Sequence, residues 1–370
     1  MSPHQIDVLV LASLVSLACA LPGVFLVLRK VALMSDAISH AILFGIVIAF
    51  FVVKNLNSPL LVFGAAITGV LTVVLTELLI NSGKLKKDAA IGLVFPLLFS
   101  LGVILLTRYA GDVHLDTQCV LFGEIAFAPF SRLIAGGRDW GPLATWVIAG
   151  VLVMNIVFIA AFYKELKLTT FDPGLAAALG FYPAVINYIF MTLISVTAVG
   201  AFELVGSILV VALMIAPPAA AYLLTDRLGH MLFVSAGMGV LSAISGYFMA
   251  QWLDASIAGS MATMSGVLFF LAFIFAPERG IVARSVVRKY EKWNFASETL
   301  AVHLLQAEQA HAEESESVVK HMNEHMLWND EYTSEAIAQG LKDGLLKRDG
   351  NRLSLTKLGR EKAKNSLSRD

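Results

Sequence analysis

Long apolar runs separated by short polar connections fill the first three quarters of the chain. They lie at 7–28, 36–53, 58–80, 90–108, 141–163, 182–200, 202–224, 231–250 and 257–276. Each approaches the ~20 residues that a helix needs to cross roughly 30 Å of hydrocarbon. Only Gly200 to Glu203 separates the sixth run from the seventh. Glycines inside these runs let helices approach closely where lipid gives them little reason to associate. Pro96, Pro183, Pro217 and Pro218 are expected to break or kink their helices.

Beyond Pro277 the pattern becomes charged and amphipathic. Ala336–Gly340 reads as a short helix ending at glycine, and Asp349-Gly350-Asn351 as a hairpin turn before the alternation Leu353-Ser354-Leu355. Thr356 is a candidate cap for a last helix. The predicted fold is an all-α polytopic membrane protein: a compact bundle of about eight to nine transmembrane helices, plus a small soluble C-terminal domain of winged-helix type. The domains are a transmembrane part at 1–276, a charged helical connector at 277–325 and a winged-helix-like module at 326–370.

Composition sharpens this division. The chain is 57% hydrophobic and 15% charged, with a mean hydropathy of +0.75, where a soluble domain carries about a quarter charged residues. The last 94 residues hold 15 basic and 15 acidic side chains, against 12 and 13 in all that precedes. A soluble enzyme with one core is excluded. Two cysteines, Cys19 and Cys119, give neither a disulfide framework nor metal-ligand spacing. The N-terminus has no basic n-region, so the first run is expected to stay as a helix.

Candidate chemistry is sparse. Asp36 and His40, in Ser35-Asp36-Ala37-Ile38-Ser39-His40, are four apart and share a helix face. Carboxylate and imidazole together make half a site for Mn²⁺, Zn²⁺ or Fe²⁺, and ionisable groups in a membrane point to function; a structural pair bonding neighbouring helices fits the same spacing. Glu203 is a third possible ligand or an interfacial residue. Glu77 and Asp88 flank the basic 81–87 loop and are expected to pair with it or meet a cytoplasmic partner. Asn155 and Asn187 read as interhelical hydrogen bonders. In the 164–182 connection, Asp172 can cap a short helix with Pro173 at its first position and Gly180 at its end, a shape suited to docking on a motor subunit. The chain has no GxxxxGK[ST] loop, no HExxH and no paired nucleophile and base. Enzymatic function and a tightly bound cofactor are therefore not expected. Transport driven by an ion gradient, and a membrane-tethered regulator acting through the tail, remain alternatives to ATP-driven transport.

Several segments in order resemble the permease subunit of manganese, zinc and iron ABC transporters. They are Leu28-Arg29-Lys30, Met34 through Ala41, Asp88-Ala89-Ala90-Ile91-Gly92, Val120-Leu121-Phe122-Gly123, Phe171-Asp172-Pro173 with Gly180, Val205 through Pro217, and Ser245-Gly246-Tyr247 with Asp254. The resemblance implies a dimeric half-channel of the bacterial inner membrane, homodimeric or paired with a related permease. It also implies two copies of a separate ATPase, an extracytoplasmic metal-binding protein and a transported divalent ion, with Mn²⁺ first. Asp36 and His40 fall on the family's ion path, and Phe171, Asp172, Pro173 and Gly180 on its coupling helix. The tail's second half is similar to the winged-helix part of bacterial regulators, yet its balanced charge makes nucleic acid an unlikely partner. His321, Glu324 and His325 could sense metal or form a solvated face.

Basic residues near short loops stay inside, so the 81–87 loop and the C-terminal tail are expected in the cytoplasm. Single cysteines at Lys86 and Ser366 should label only in permeabilised cells. Labelling of either in intact cells overturns this orientation.

Overall fold

The computed structural model describes residues 2–55, 58–109, 125–135, 138–309, 326–350 and 352–367. The chain divides into two compact units, Met1–Arg279 and Gly280–Asp370.

The first unit is built from α1 (Pro3–Leu28), α2 (Leu33–Val53), α3 (Pro59–Asn81) and α4 (Lys87–Tyr109), then the hairpin β1 (Arg132–Ala135) and β2 (Arg138–Pro142). It continues with α5 (Leu143–Ala161), α6 (Tyr163–Phe171), α7 (Pro173–Ala178), α8 (Pro183–Leu224), α9 (Leu228–Leu253) and α10 (Ile257–Phe275). Among the described residues, nine helical stretches are long and apolar enough to span a membrane, α8 supplying two of them. The chain is a multi-pass membrane protein. Val120-Leu121-Phe122-Gly123 lies outside the described residues.

Helix α1 is the hub. Of its most apolar stretch 67% is buried, against 22% for α5 at the periphery. Its start carries a capping box, in which the Gln5 amide N–H donates to Ser2 Oγ and the Ser2 N–H to Gln5 Oε1. Polar bonds then tie neighbours to it. The buried Asn155 amide of α5 donates to the Ala18 carbonyl at 2.9 Å and to Thr197 Oγ1 at 3.0 Å, and Ser235 Oγ of α9 donates to the Ala20 carbonyl at 3.2 Å. Other hydroxyls return to their own helix, Ser16 to the Ala12 carbonyl and Thr72 to the Thr68 carbonyl, so these need no water. Close approach elsewhere uses missing side chains: a Cβ on Gly45 of α2 would collide with the Gly64 carbonyl and Thr68 Oγ1 of α3.

Two expectations about breaks are corrected. Of the expected break or kink, the break does not occur at Pro96, Pro217 or Pro218, through which the helices continue, and Pro183 occupies a first-turn position of α8, where its missing N–H costs nothing. The division of α8 falls at Gly206 (φ 75°, ψ 166°), not between Gly200 and Glu203. Packing shows that the chain reverses there. Asn187, in the first turn of α8, bonds Arg29 just past the end of α1. Met214 and Pro218, in its second half, press on Gly23 only five residues before the end of α1. Both arms thus descend to one end of α1, as two spans must.

The second unit comprises α11 (Ile281–Gln309), α12 (Asp330–Lys342), the antiparallel hairpin β3 (Leu346–Asp349) and β4 (Arg352–Leu355), and α13 (Lys357–Leu367). Leu300 and Leu304 of α11 pack with Ile337, Leu345, Leu353 and Ala363, so the expected connector helix contributes to the tail's core. Gly350 has φ +64° in the hairpin turn, and the Gly359 N–H donates to Thr356 Oγ1 at 3.0 Å to cap α13. Arg360 bonds both carboxylate oxygens of Glu308, and Lys362 lies 2.7 Å from Glu298.

The Gly206 backbone lies in a region almost reserved for glycine, where another residue is strained by ~1–3 kcal/mol. Gly206→Ala should therefore lower the unfolding temperature of the purified protein in detergent, whereas Gly200→Ala, at a helical position, should not. Equal melting of the two variants would place the turn elsewhere.

Candidate translocation site and docking segment

Asp36 and His40 meet on α2. Because the helix begins at Leu33, Asp36 sits in its first turn, where a carboxylate complements the helix dipole. His40 follows one turn later, with Nε2 3.3 Å from Asp36 Oδ1. The flanking Ser35 and Ser39 are buried and bonded to carbonyls of their own helix. Phe95 and Phe99 of α4 each hold their ring 5.9 Å from the imidazole, one tilted and one edge-on. Ala41, Val94 and Leu98 pack this wall together. The remaining side is open: Asp36 and His40 keep 36% and 30% of their side-chain exposure. Farther along α2, Phe44 is half-buried against this wall, while Ile48 and Val52 are 42% and 80% exposed.

The pair supplies two donors. Among the described residues, no group of three or more His, Cys, Asp or Glu side chains converges. The backbone of Glu203 lies in α8, three residues before the reversal, and its side chain is outside the described residues, as are His321, Glu324 and His325.

The docking candidate is built as two helices, α6 and α7, where the spacing predicted one. Asp172 separates them, and its Oδ1 accepts the Leu175 N–H at 2.9 Å. Pro173 takes the first position of α7. Gly180 ends the segment at φ +86°, a conformation L side chains resist. Thr169 and Ala176 face inward, while Phe171, Leu175 and Leu179 are 61%, 48% and 60% exposed. Three large apolar side chains thus stand exposed within nine residues, on either side of the Asp172 break.

A third cluster escaped the sequence reading. Arg29, named there only within Leu28-Arg29-Lys30, turns back into the protein. Its Nε donates to Thr170 Oγ1 at 3.0 Å, Nη2 to Thr169 Oγ1 at 3.2 Å and Nη1 to Asn187 Oδ1 at 2.7 Å, and its guanidinium carbon lies 4.9 Å from the Phe190 ring centre. The Asn187 amide donates onward to the Glu77 carboxylate. Burial pulls the guanidinium down to about 10 while Glu77 opposes the shift, so Arg29 remains charged at neutral pH. Glu77 therefore engages Asn187 rather than the 81–87 loop beside it. The available signal was Asn187, an amide in an apolar span that requires a partner.

In the β1–β2 hairpin, Arg132 pairs with Asp139 at 2.5 Å and reaches Asp7 of α1 at 3.4 Å. The Gly141 N–H and this guanidinium hold the exposed Asp139 carboxyl below the usual range.

Comparison with known proteins adds what a single chain leaves open. The family described as the ABC 3 transport family matches residues 2–276. A zinc transport system membrane protein, TroD of Treponema pallidum, is 46% identical over 354 residues, covering 95% of this chain and 96% of its own length. That alignment takes in most of the tail. A manganese transport system membrane protein, MntD of Bacillus subtilis, is 50% identical over 273 residues, 74% of this chain and 92% of its own. The solved structure of PsaBC from Streptococcus pneumoniae, in complex with Fab, superposes with a TM-score of 0.62 at 28% identity, over 75% of this chain and 94% of that one.

Proposed function

The chain belongs to the ABC 3 transport family, and from that membership we propose that it conducts Mn²⁺ along a path in which Asp36 and His40 are ligands. It is the permease subunit of a metal-ion ABC importer, and ATP hydrolysis resides on another subunit. Names of the relatives divide between zinc and manganese. One carboxylate and one imidazole, without thiolate, suit Mn²⁺ and leave room for Zn²⁺ and Fe²⁺.

One observation carries the ligand assignment. Two ionisable side chains stand on a face of α2 that this chain leaves a third uncovered, and lipid is a costly neighbour for them. A second copy, or a related permease, packed along Phe44, Ile48 and Val52 covers that face and brings a second carboxylate and imidazole to the ion. The path then holds enough donors to take an ion from an extracytoplasmic metal-binding protein, yet few enough from each chain to let it go. Asp36 neutralises charge, and the His40 nitrogen favours transition metals over Mg²⁺ and Ca²⁺.

The docking surface for two ATPase subunits is Phe171, Asp172, Pro173 and Gly180. Its support is the exposure of Phe171, Leu175 and Leu179, apolar groups on a connection where water otherwise favours polar ones. The assembly lies in the bacterial inner membrane with its tail in the cytoplasm. The division into 1–276, 277–325 and 326–370 separates path, connector and module. The tail's helices and hairpin support a winged-helix reading, and the exposed acidic Glu331 and Glu335 on α12 favour a protein-contact or regulatory role over DNA. Glu203 remains a candidate third ligand of the path.

Asp36→Asn and His40→Ala should each cut uptake of radioactive Mn²⁺ about tenfold or more, since even outer-shell partners of metal ligands matter to that extent. The comparison is made at matched membrane levels, with Zn²⁺ and Fe²⁺ as competitors. Near-normal uptake by the double variant returns the pair to a structural role. Asp172→Ala removes a cap worth ~1 kcal/mol and should weaken co-purification of the ATPase, while Asp172→Asn keeps the cap and should preserve it. Unchanged co-purification after charge reversal and lengthening of 171–180 would falsify the docking assignment.

A further inference from the structure

A docking segment serves transport only if its displacement reaches the helices that line the path. The described contacts offer a direct route. Thr169 and Thr170 lie in the last turn of α6, immediately before the Phe171–Asp172 junction. Both hydroxyls accept from the one guanidinium that also bonds Asn187 at the start of α8. Through the Asn187 amide the chain of bonds continues to Glu77, in the last turns of α3.

We propose that Arg29 is the positioning residue that couples the docking segment to the ion path, making α6, the α1–α2 corner, α8 and α3 move as one body. The inference rests on the reading of 171–180 as the docking segment.

Geometry supports a mechanical role beyond simple stapling. Arg29 follows α1 directly, and its N–H is fixed by the Phe25 carbonyl at 2.9 Å. The corner after it is tight: Lys30 has φ +57°, the Val31 N–H donates to the Leu26 carbonyl at 3.0 Å and the Met34 N–H to the Val31 carbonyl at 2.9 Å. A shift imposed on the guanidinium therefore passes through a short, hydrogen-bonded corner into the first turn of α2, where Asp36 stands. The planar fork of arginine fixes acceptors in several directions at once, which the single point of a lysine does not. Phe190 closes one face of the group, and partial exclusion of water strengthens each bond. Asn187 works in both directions: its oxygen accepts from Arg29 and its nitrogen donates to Glu77, so opposite charges on α3 and the α1 end are bridged by an amide on α8. Motion of α6 without Arg29 would break these bonds; motion with it carries both walls.

The test uses the complete transporter, with its ATPase and extracytoplasmic partner, in proteoliposomes. Two variants are compared with the unaltered protein: Arg29→Lys, and the double variant Thr169→Val with Thr170→Val, which removes the acceptors on α6 and, besides them, only the local bond from Thr169 to the Leu166 carbonyl. The readout is Mn²⁺ imported per ATP hydrolysed, alongside ATPase co-purification. The ratio should fall about fivefold or more in both, the scale typical of coupling between sites, while the ATPase stays bound and hydrolysis continues. A group that merely staples the fold would reduce the yield of complex and leave the ratio unchanged, and that result overturns the proposal. If Arg29→Lys fails to reach the membrane, the threonine pair decides alone, an unaltered ratio again overturning it. Failure of the docking assignment would show separately, as intact ATPase co-purification in Asp172→Ala.

Discussion

Inside a bilayer there is no water to complete a hydrogen bond, and apolar lipid gives helices no solvophobic reason to associate. Every other feature of the membrane unit answers that constraint. Polar side chains must find partners within the protein, so they become the fasteners: Asn155 with the Ala18 carbonyl and Thr197, Ser235 with the Ala20 carbonyl, Ser195 with the Ala66 carbonyl. Van der Waals contact must come from close approach, so side chains vanish where backbones meet, at Gly23, Gly45 and Gly246. Both devices converge on α1, the most buried of the spans.

The same constraint explains where charge sits. Arg29 and Glu77 are placed at helix ends and share an amide from a third helix, so neither is left to lipid. Asp36 and His40 pair with each other, but the pair remains partly uncovered in a single chain. A charge that is fully satisfied locally holds a structure together; one that is half satisfied awaits something else. The contrast between these two clusters separates the scaffold from the proposed ion path, and it suits a path that has to release what it binds.

The proposed docking segment and the tail obey the rules of water instead. Caps, turn glycines and ion pairs dominate there: Asp172 on α7, Thr356 on α13, Gly350 in the hairpin, Arg360 with Glu308. Exposed apolar side chains in such a setting, as at Phe171, Leu175 and Leu179, stand out because water alone would not keep them there.

Local chemistry written in the chain was enough for the spans, the Asp36–His40 pair, the Asp172 cap and the tail hairpin. Each depends on spacing along one segment: run length, a four-residue step, a cap with proline, or a turn flanked by alternation. The reversal in α8 was not legible, because Gly200 and Gly206 offer the same freedom and only packing of both arms against the end of α1 selects Gly206. Nor was the run of helix through Pro217 and Pro218, which neighbouring helices decide. The role of Arg29 was hidden for a related reason. Positive charge beside a span ordinarily marks the cytoplasmic side and faces water, and its partners lie some 140 to 158 positions away. Sequence determines what a segment can do with its own neighbours; the tertiary structure decides which distant groups must share a space without water, and there a loop cation becomes the joint between four helices.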